Sequence, residues 1–429
     1  MTRSVKSHIR DVLTSLFSAQ FIRHHAAALG AVRRRRKVDI VALVYTLVLA
    51  FDRGATRSLA SMRRAYAAAT GTTLAPSAFY DRFTPSLTKL MKKLAERALA
   101  KLAHNGTKKQ RAFGVFLKLL IADGSLVRLP DVLERHYPSV WTNHTRASVK
   151  LHVIMNGTTR TPERVRFAPG SSHDLSLMTV EACCIGSLYI FDLAYYQGKL
   201  FDRIMERGGN FLCRVKKDAN FRIIAADNPR WVGRRHKSIL AEMRGRSFDV
   251  WVDYAYRHIP ERDWTWWSLE LRLIGIWSDE LRRHRLYLTS APVFALPADV
   301  VAEVYAVRWE VELLFRELKS QLNLEHMPSG NKAVAECMLY ASLLALALDR
   351  TLRRDLAARD ATTIPAERSS IVFRSVAPLL LDLIVGLPAH RPHLERRLRR
   401  VLRAEAPDPN RQRLSLPDRA RAIIPTPPN

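Results

Sequence analysis

Cysteine is scarce in this sequence. Cys183, Cys184, Cys213 and Cys337 are the only four, and they form no CxxC pair and no Cys/His spacing of the kind that grips zinc. That excludes a disulfide scaffold and structural zinc, and predicts buried, reduced thiols. Long apolar runs are missing too. The longest, Val38 to Phe51, is too short to span a bilayer and carries Asp39. The stretch MTRSVKSHIRDVL at the start is amphipathic and lacks the apolar segment of a signal peptide. A soluble, cytoplasmic protein without a membrane partner is expected. Acidic residues are the third shortage: 40 Asp and Glu face 69 Lys and Arg, a formal net charge of +29. Such an excess predicts a polyanionic partner, because a basic surface gains by releasing counterions from phosphate. Nucleic acid is the first candidate and an anionic membrane surface a distant second.

What is present divides the chain of 429 residues, 48% hydrophobic, into regions of different texture. Residues 1–105 read as all-helical, with Ala/Leu-rich stretches broken at DRGATRS and TGTTLAPS. Within them SLASMRRAYAAATGTTLAPSAFYDRF resembles a helix–turn–helix, with Ser77 as a candidate N-cap. The run RRRRK, Arg33 to Lys37, precedes it as a candidate DNA contact or a solvated turn. From 106 to 220 the pattern becomes mixed α/β. VFLKLLIADGS reads as a strand ending on Asp123, ASVKLHVIMNG and ERVRFAPGSSHD as further strands, and LSLMTVEACCIG as a short helix. SLYIFD is a strand ending on Asp192, QGKLFDRIMERGG a helix, and NFLCRVKK another strand. Residues 221–290 form a strand-rich, aromatic and arginine-rich insertion. Residues 291–350 carry a final helix and its packing helices. Residues 351–429 are helical and basic, including RPHLERRLRRVLRAE, before a partly disordered tail.

The stretch VYAVRWEVELLFRELKSQLNLEH, residues 304–326, gathers unlike charges on one side of a helix. At about 100° per residue, Tyr305, Arg308, Glu312 and Lys319 share a stripe roughly 60° wide. Val304, Val307, Val311, Leu314 and Leu318 lie opposite and read as the buried face. Alone, the stripe is an amphipathic helix with a surface ion pair between Arg308 and Glu312. The two strand-end aspartates change its meaning. Asp123, Asp192 and Glu312 can converge if the helix packs on the sheet. Three carboxylates flanked by cations suit two divalent metals, and Mg²⁺ prefers oxygen ligands and shares them with phosphate.

These residues resemble the signature of the DDE transposases of bacterial insertion sequences, in the subgroup named for insertion sequence four. Its Y-x2-R-x3-E-x6-K pattern is met without a gap by Tyr305, Arg308, Glu312 and Lys319. Asp123-Gly124-Ser125 matches the first aspartate. Asp192-Leu193-Ala194-Tyr195 matches the second, with Ala194 where the family usually has Gly. Phe211 to Arg214 and Leu288-Thr289-Ser290 also fit, and the likeness runs over roughly 115–350. It implies an RNase H-like catalytic core interrupted by the β-rich insertion. It also implies an all-α N-terminal DNA-binding domain that reads terminal inverted repeats, and a helical C-terminal region. Asp123, Asp192 and Glu312 would bind two Mg²⁺, with Mn²⁺ as a substitute, for strand cleavage and strand transfer. Tyr305, Arg308, Lys319, Arg214, Lys216 and Trp309 would contact phosphate or DNA.

Double-stranded DNA is then the implied partner, with a homodimer in a synaptic complex and a place on the bacterial nucleoid. Arg285 stands where hairpin-forming relatives carry a Trp. Trp264, Trp266 and Trp267 are candidates either for packing or for stacking on a flipped base. His173-Asp174 reads as a cap or loop. Two other readings compete: a non-catalytic DNA-binding remnant acting as repressor, and a stand-alone RNase H-like nuclease.

Overall fold

The computed structural model describes residues 9–32, 38–51, 57–104, 112–140, 145–180, 185–258, 265–325, 327–360, 364–407 and 415–425. The RRRRK run, Trp264, Cys183 and Cys184 lie outside the described residues; Cys213 and Cys337 are buried free thiols.

The N-terminal region is helical, as its Ala/Leu content predicts: α1 (Ile9–Thr14), α2 (Ala19–Ala28), α3 (Ile40–Leu49), α4 (Leu59–Thr70), α5 (Pro76–Tyr80) and α6 (Pro85–His104). The longest apolar run becomes α3, almost wholly buried. Asp39, the charge that interrupts the run, caps it by accepting from the Val41 N–H at 2.7 Å. Gly71, at φ +70°, ends α4 in the left-handed region. Ser77 does not cap the next helix. Pro76 takes the first turn, where its fixed φ fits and its missing N–H costs nothing, so Ala75 is the cap residue.

Among the described residues nine strands build one sheet: β1 (Lys118–Arg128), β2 (Ser148–Asn156), β3 (Thr161–Pro169), β4 (Ser187–Phe191), β5 (Asn210–Arg214), β6 (Arg222–Ala225), β7 (Phe248–His258), β8 (Thr265–Ser278) and β9 (Arg283–Thr289). Their order is β3-β2-β1-β4-β5-β9-β8-β7-β6. β1, β2 and β3 run antiparallel, whereas β1, β4 and β5 are parallel. β5 then pairs antiparallel with β9, so the strand-rich insertion prolongs the main sheet instead of standing apart from it. Of the stretch LSLMTVEACCIG, a single turn at Asp174–Leu177 is helical.

Among the described residues the longer remaining helices are α7 (Gly198–Glu206), α8 (Val301–Ala306), α9 (Trp309–Arg316), α10 (Lys332–Asp360), α11 (Ala366–Val385), α12 (Arg391–Glu405) and α13 (Leu416–Ile423), with a single further turn at His236–Ile239. Part of the tail expected to be disordered is therefore helix. Ser415 caps α13, which packs on α8, and a Cβ at Gly114 would meet the Pro425 carbonyl at 2.6 Å. The two faces of the sheet bury separate cores. Leu119, Ile121, Leu188 and Ile190 join the cluster containing Val307, Val311 and Leu314; Leu120, Ala122, Tyr189 and Phe191 join one with Phe201 and Tyr254.

Candidate active site

Alternation along a strand decides which face each aspartate serves. Leu119 and Ile121 face the α8–α9 side, so Asp123, two residues on, shares it. The same holds for Leu188, Ile190 and Asp192. In the parallel register Ile121 pairs with Ile190, and continuing it by two residues brings Asp123 level with Asp192. Asp123 does not end its strand, as the sequence suggests. β1 continues to Arg128 against β2, and only its pairing with β4 stops at Ile121, where the two strands diverge. Asp192 follows β4 directly and its Oδ1 accepts from the Ala194 N–H at 2.8 Å.

Over this face lies the stretch read as one helix from 304 to 326. It is in fact broken. α8 stops at Ala306, i→i+3 bonds carry the chain through Val307 and Arg308, α9 follows, and a π-turn spans Glu317–Gln321. Val307, Val311, Leu314 and Leu318 are buried as expected. Gly157 lets the segment approach the sheet, since a Cβ there would sit 2.9 Å from Ile121 Cδ1 and 3.3 Å from Val307 Cγ1.

Arg308 ties the constellation together. Its Nη1 donates to Asp123 Oδ2 at 3.4 Å and its Nη2 to Glu312 Oε1 at 2.6 Å. Burial pushes the Asp123 carboxyl up to about 7. The bond from the Gly124 N–H opposes this, Asp192 and Glu312 push further upward, and Arg308 pulls it back. Burial likewise lifts the Tyr305 hydroxyl to about 12, with Arg308 and Arg214 opposing and Asp192 adding. Tyr305 packs on Tyr287 with ring centroids 5.3 Å apart. Tyr305, Arg308, Arg214 and the three carboxylates thus share one electrostatic neighbourhood.

Lys319 is not brought to it. The π-turn displaces this position from the ideal stripe, and its Nζ pairs with Glu325 Oε1 at 3.3 Å. Lys216 does not project from a strand either, because β5 ends at Arg214; its ammonium lies 5.3 Å from the centre of the Tyr196 ring. Trp309 is 52% exposed beside the site, and Trp266 and Trp267 are also exposed.

Beneath Asp123, on the opposite face, lies support that the sequence reading missed. Gly124 pairs with His152, and a Cβ at Gly124 would collide with the carboxylate of Asp174, whose other oxygen pairs with Lys150 at 3.0 Å. Asp174 is therefore a wedge under the first aspartate. His152 is fully buried and near Tyr195, ring centroids 6.0 Å apart; burial lowers its pKa to about 4, so it is neutral near pH 7. The single histidine inside the apolar run KLHVIMN was the available signal.

A metal centre requires oxygen donors and a deficit of positive charge. The carboxylates supply the first; burial is the main cause of the raised Asp123 pKa, and the repulsion from Asp192 and Glu312 adds to it. The donor chemistry fits a hard divalent cation, although among the described residues no three His, Cys, Asp or Glu side chains are gathered closely enough to hold one. Arg308 occupies two of the three carboxylates instead.

Comparison with known proteins shows which family the chain belongs to. Residues 116–348 match the family model described as a transposase DDE domain, more than half of the chain. The chain belongs to the DDE transposases. These are DNA-cleaving and strand-transferring enzymes. The transposase for insertion sequence element IS231F of Bacillus thuringiensis subsp. israelensis is 22% identical over 388 residues, 81% of either chain. That for IS231B of subsp. berliner is 23% identical over 381 residues, 79% of either chain. Among solved structures, a piggyBac transposase synaptic complex with hairpin DNA is similar at a TM-score of 0.50 and 11% identity. The match covers 95% of this chain and 87% of that one. The fold, a large mixed α/β sheet with helices, is thus similar to that of this transposase. Among the described residues no helix is long and apolar enough to cross a membrane.

Proposed function

We propose that this transposase cuts and joins DNA at the ends of its own insertion element, with Asp123, Asp192 and Glu312 as the ligands of two divalent cations. The observation that carries this reading is the level placement of Asp123 and Asp192 on one sheet face, with Glu312 above them and Arg308 spanning Asp123 and Glu312. Mg²⁺ or Mn²⁺ held there would supply an activated water or 3′-hydroxyl and neutralise the leaving oxygen. The chain's own residues do the rest. Arg308 exchanges its two carboxylates for non-bridging phosphate oxygens, a bidentate partner that suits a guanidinium. Tyr305, its hydroxyl un-ionised, donates to the same phosphate. Arg214 and Lys216 receive the strand from the β5 side, Trp309 stacks on it, and Lys319 joins once Glu325 releases it. Residues 1–105 recognise the terminal inverted repeats, and two copies synapse the paired ends.

The test is strand cleavage of DNA bearing the element's ends, read on a denaturing gel with Mg²⁺ and with chelator. Metal-dependent nicking at a defined end that Glu312→Gln abolishes, with binding retained, supports the assignment. Normal cutting by E312Q refutes it. Tight binding without cleavage by either protein favours a repressor.

A further inference from the structure

We propose that a second phosphate-binding site, sharing no residue with the carboxylates, lies where the N- and C-terminal helices meet, and that it takes the backbone of duplex DNA. The ligand class rests on the transposase reading; the site rests on the following geometry. A cleft of about 930 Å³ is lined by Arg10 of α1, Arg359 near the end of α10, and Arg391, Arg396, Arg399 and Arg403 of α12. Helical spacing puts Arg396, Arg399 and Arg403 on one side of α12, turned away from the buried Leu398 and Leu402, while Arg391 reaches the cleft from the start of the helix.

The acids nearby are largely engaged. Glu395 accepts from the Ile9 backbone N–H at 2.6 Å and from Arg399 at 2.7 Å, and Asp355 accepts from Arg359 at 2.7 Å. Asp11 alone among the lining acids is exposed. Arg10 and Arg391 stand close enough for like-charge repulsion, which adds to burial in lowering the Arg391 pKa. The Nε atoms of both are shut off from solvent and have no hydrogen-bond partner among the described residues. With six arginines against two acids in its lining, the cleft carries a net positive charge that suits a polyanion. Arg396 and Arg403 are about 10 Å apart along the helix axis, too far to converge on one small anion but well placed for successive phosphates of a strand.

The test uses the full chain and a short fluorescent duplex of arbitrary sequence, titrated by anisotropy over a series of KCl concentrations. Arg396→Ala with Arg403→Ala is expected to lower the slope of log K against log salt by roughly 2, at about 0.9 per lost phosphate contact. R396K/R403K is expected to restore most of that slope, which separates charge from folding. Duplex is also expected to protect Arg396 and Arg403 from an arginine-specific dicarbonyl, read by mass spectrometry. A parental slope in the alanine pair, or labelling unaffected by DNA, would overturn the proposal. Cleavage by E312Q would sink the active-site reading without touching this one.

Discussion

Two arginine–carboxylate clusters grow from the same broken helix, and they have been finished differently. In one, Glu317 in the π-turn meets Arg350, which also donates to Asp349 at 3.0 Å. Ser370 donates to Glu317, and Ser369 donates to Asp349 at 2.6 Å. Every member is buried, and the acceptors are spoken for. In the other, Arg308 bridges Asp123 and Glu312 at one oxygen each, the partners are partly exposed, and Asp192 contributes repulsion without a side-chain cation. The same chemical ingredients make a rivet in one place and an unfinished site in the other. Saturation of the acceptors separates them: in the first cluster the oxygens are all used within the fold, and in the second there are oxygens to spare, the ones the proposed metal ligation draws on.

The comparison can be broken by exchanging the outcomes. Glu312→Gln is expected to cut metal-dependent strand cleavage by roughly 10³-fold or more while leaving the thermal midpoint close to parental. Cleavage on a gel and a melting curve together check it, and a large fall in midpoint would place Glu312 with the structural group. Arg350→Met is the converse. It leaves Glu317 and Asp349 buried without their cation and is expected to cost about 3–5 kcal/mol in urea unfolding, whereas E317L/R350M recovers the share due to Glu317 and leaves that of Asp349.

Asp123 sharpens the contrast through pH. Its folded pKa of about 7 lies above its ordinary 3.8, so the folded state holds a proton that the unfolded state releases over that interval. Stability from this group is present below about pH 4 and is lost as pH rises to 7. Asp123→Asn is therefore expected to be neutral at pH 4 and stabilising by a few kcal/mol, on the order of 1.4 per pH unit, at pH 8. Added Mg²⁺ is expected to narrow that gap by stabilising the parent alone, and urea midpoints at the two pH values decide the matter. The smallest effect belongs to Glu325→Gln. Its pair with Lys319 is nearly half exposed on the acid side, so stability is expected to change by no more than about 0.5 kcal/mol. If Lys319 is needed for DNA, affinity in an anisotropy titration is unchanged or improved.

The parts of this molecule legible in the sequence are those set by short-range patterning. Alternation placed the strands around Asp123 and Asp192, and the apolar stripe of 304–318 named its buried face correctly. What escaped was set by partners far along the chain. An ideal helix assumes uniform hydrogen bonding. The break at Val307 and Arg308 and the π-turn at Glu317 answer instead to packing on β1 and to Arg350. That π-turn moves Lys319 off the stripe. Glu310 and Glu317 look no different from Glu312 in the sequence. Only the fold brings Arg160 to the first, at 2.9 Å, and Arg350 to the second. Asp174 was legible only as a loop residue because the space above Gly124 is formed by three separate segments.

The continuous sheet has a further consequence, for synthesis of the chain. β5 is complete at Arg214, but the strand that covers its outer edge is β9, which ends at Thr289. A chain leaving the ribosome therefore carries an open β edge, beside the aspartate-bearing strands, until the whole insertion has been made. Glu312 emerges later still. The first two carboxylates are in place before the edge closes, and the third only afterwards. A truncated product ending before Thr289 lacks Glu312 and is sticky, able to recruit another strand where its own should have been.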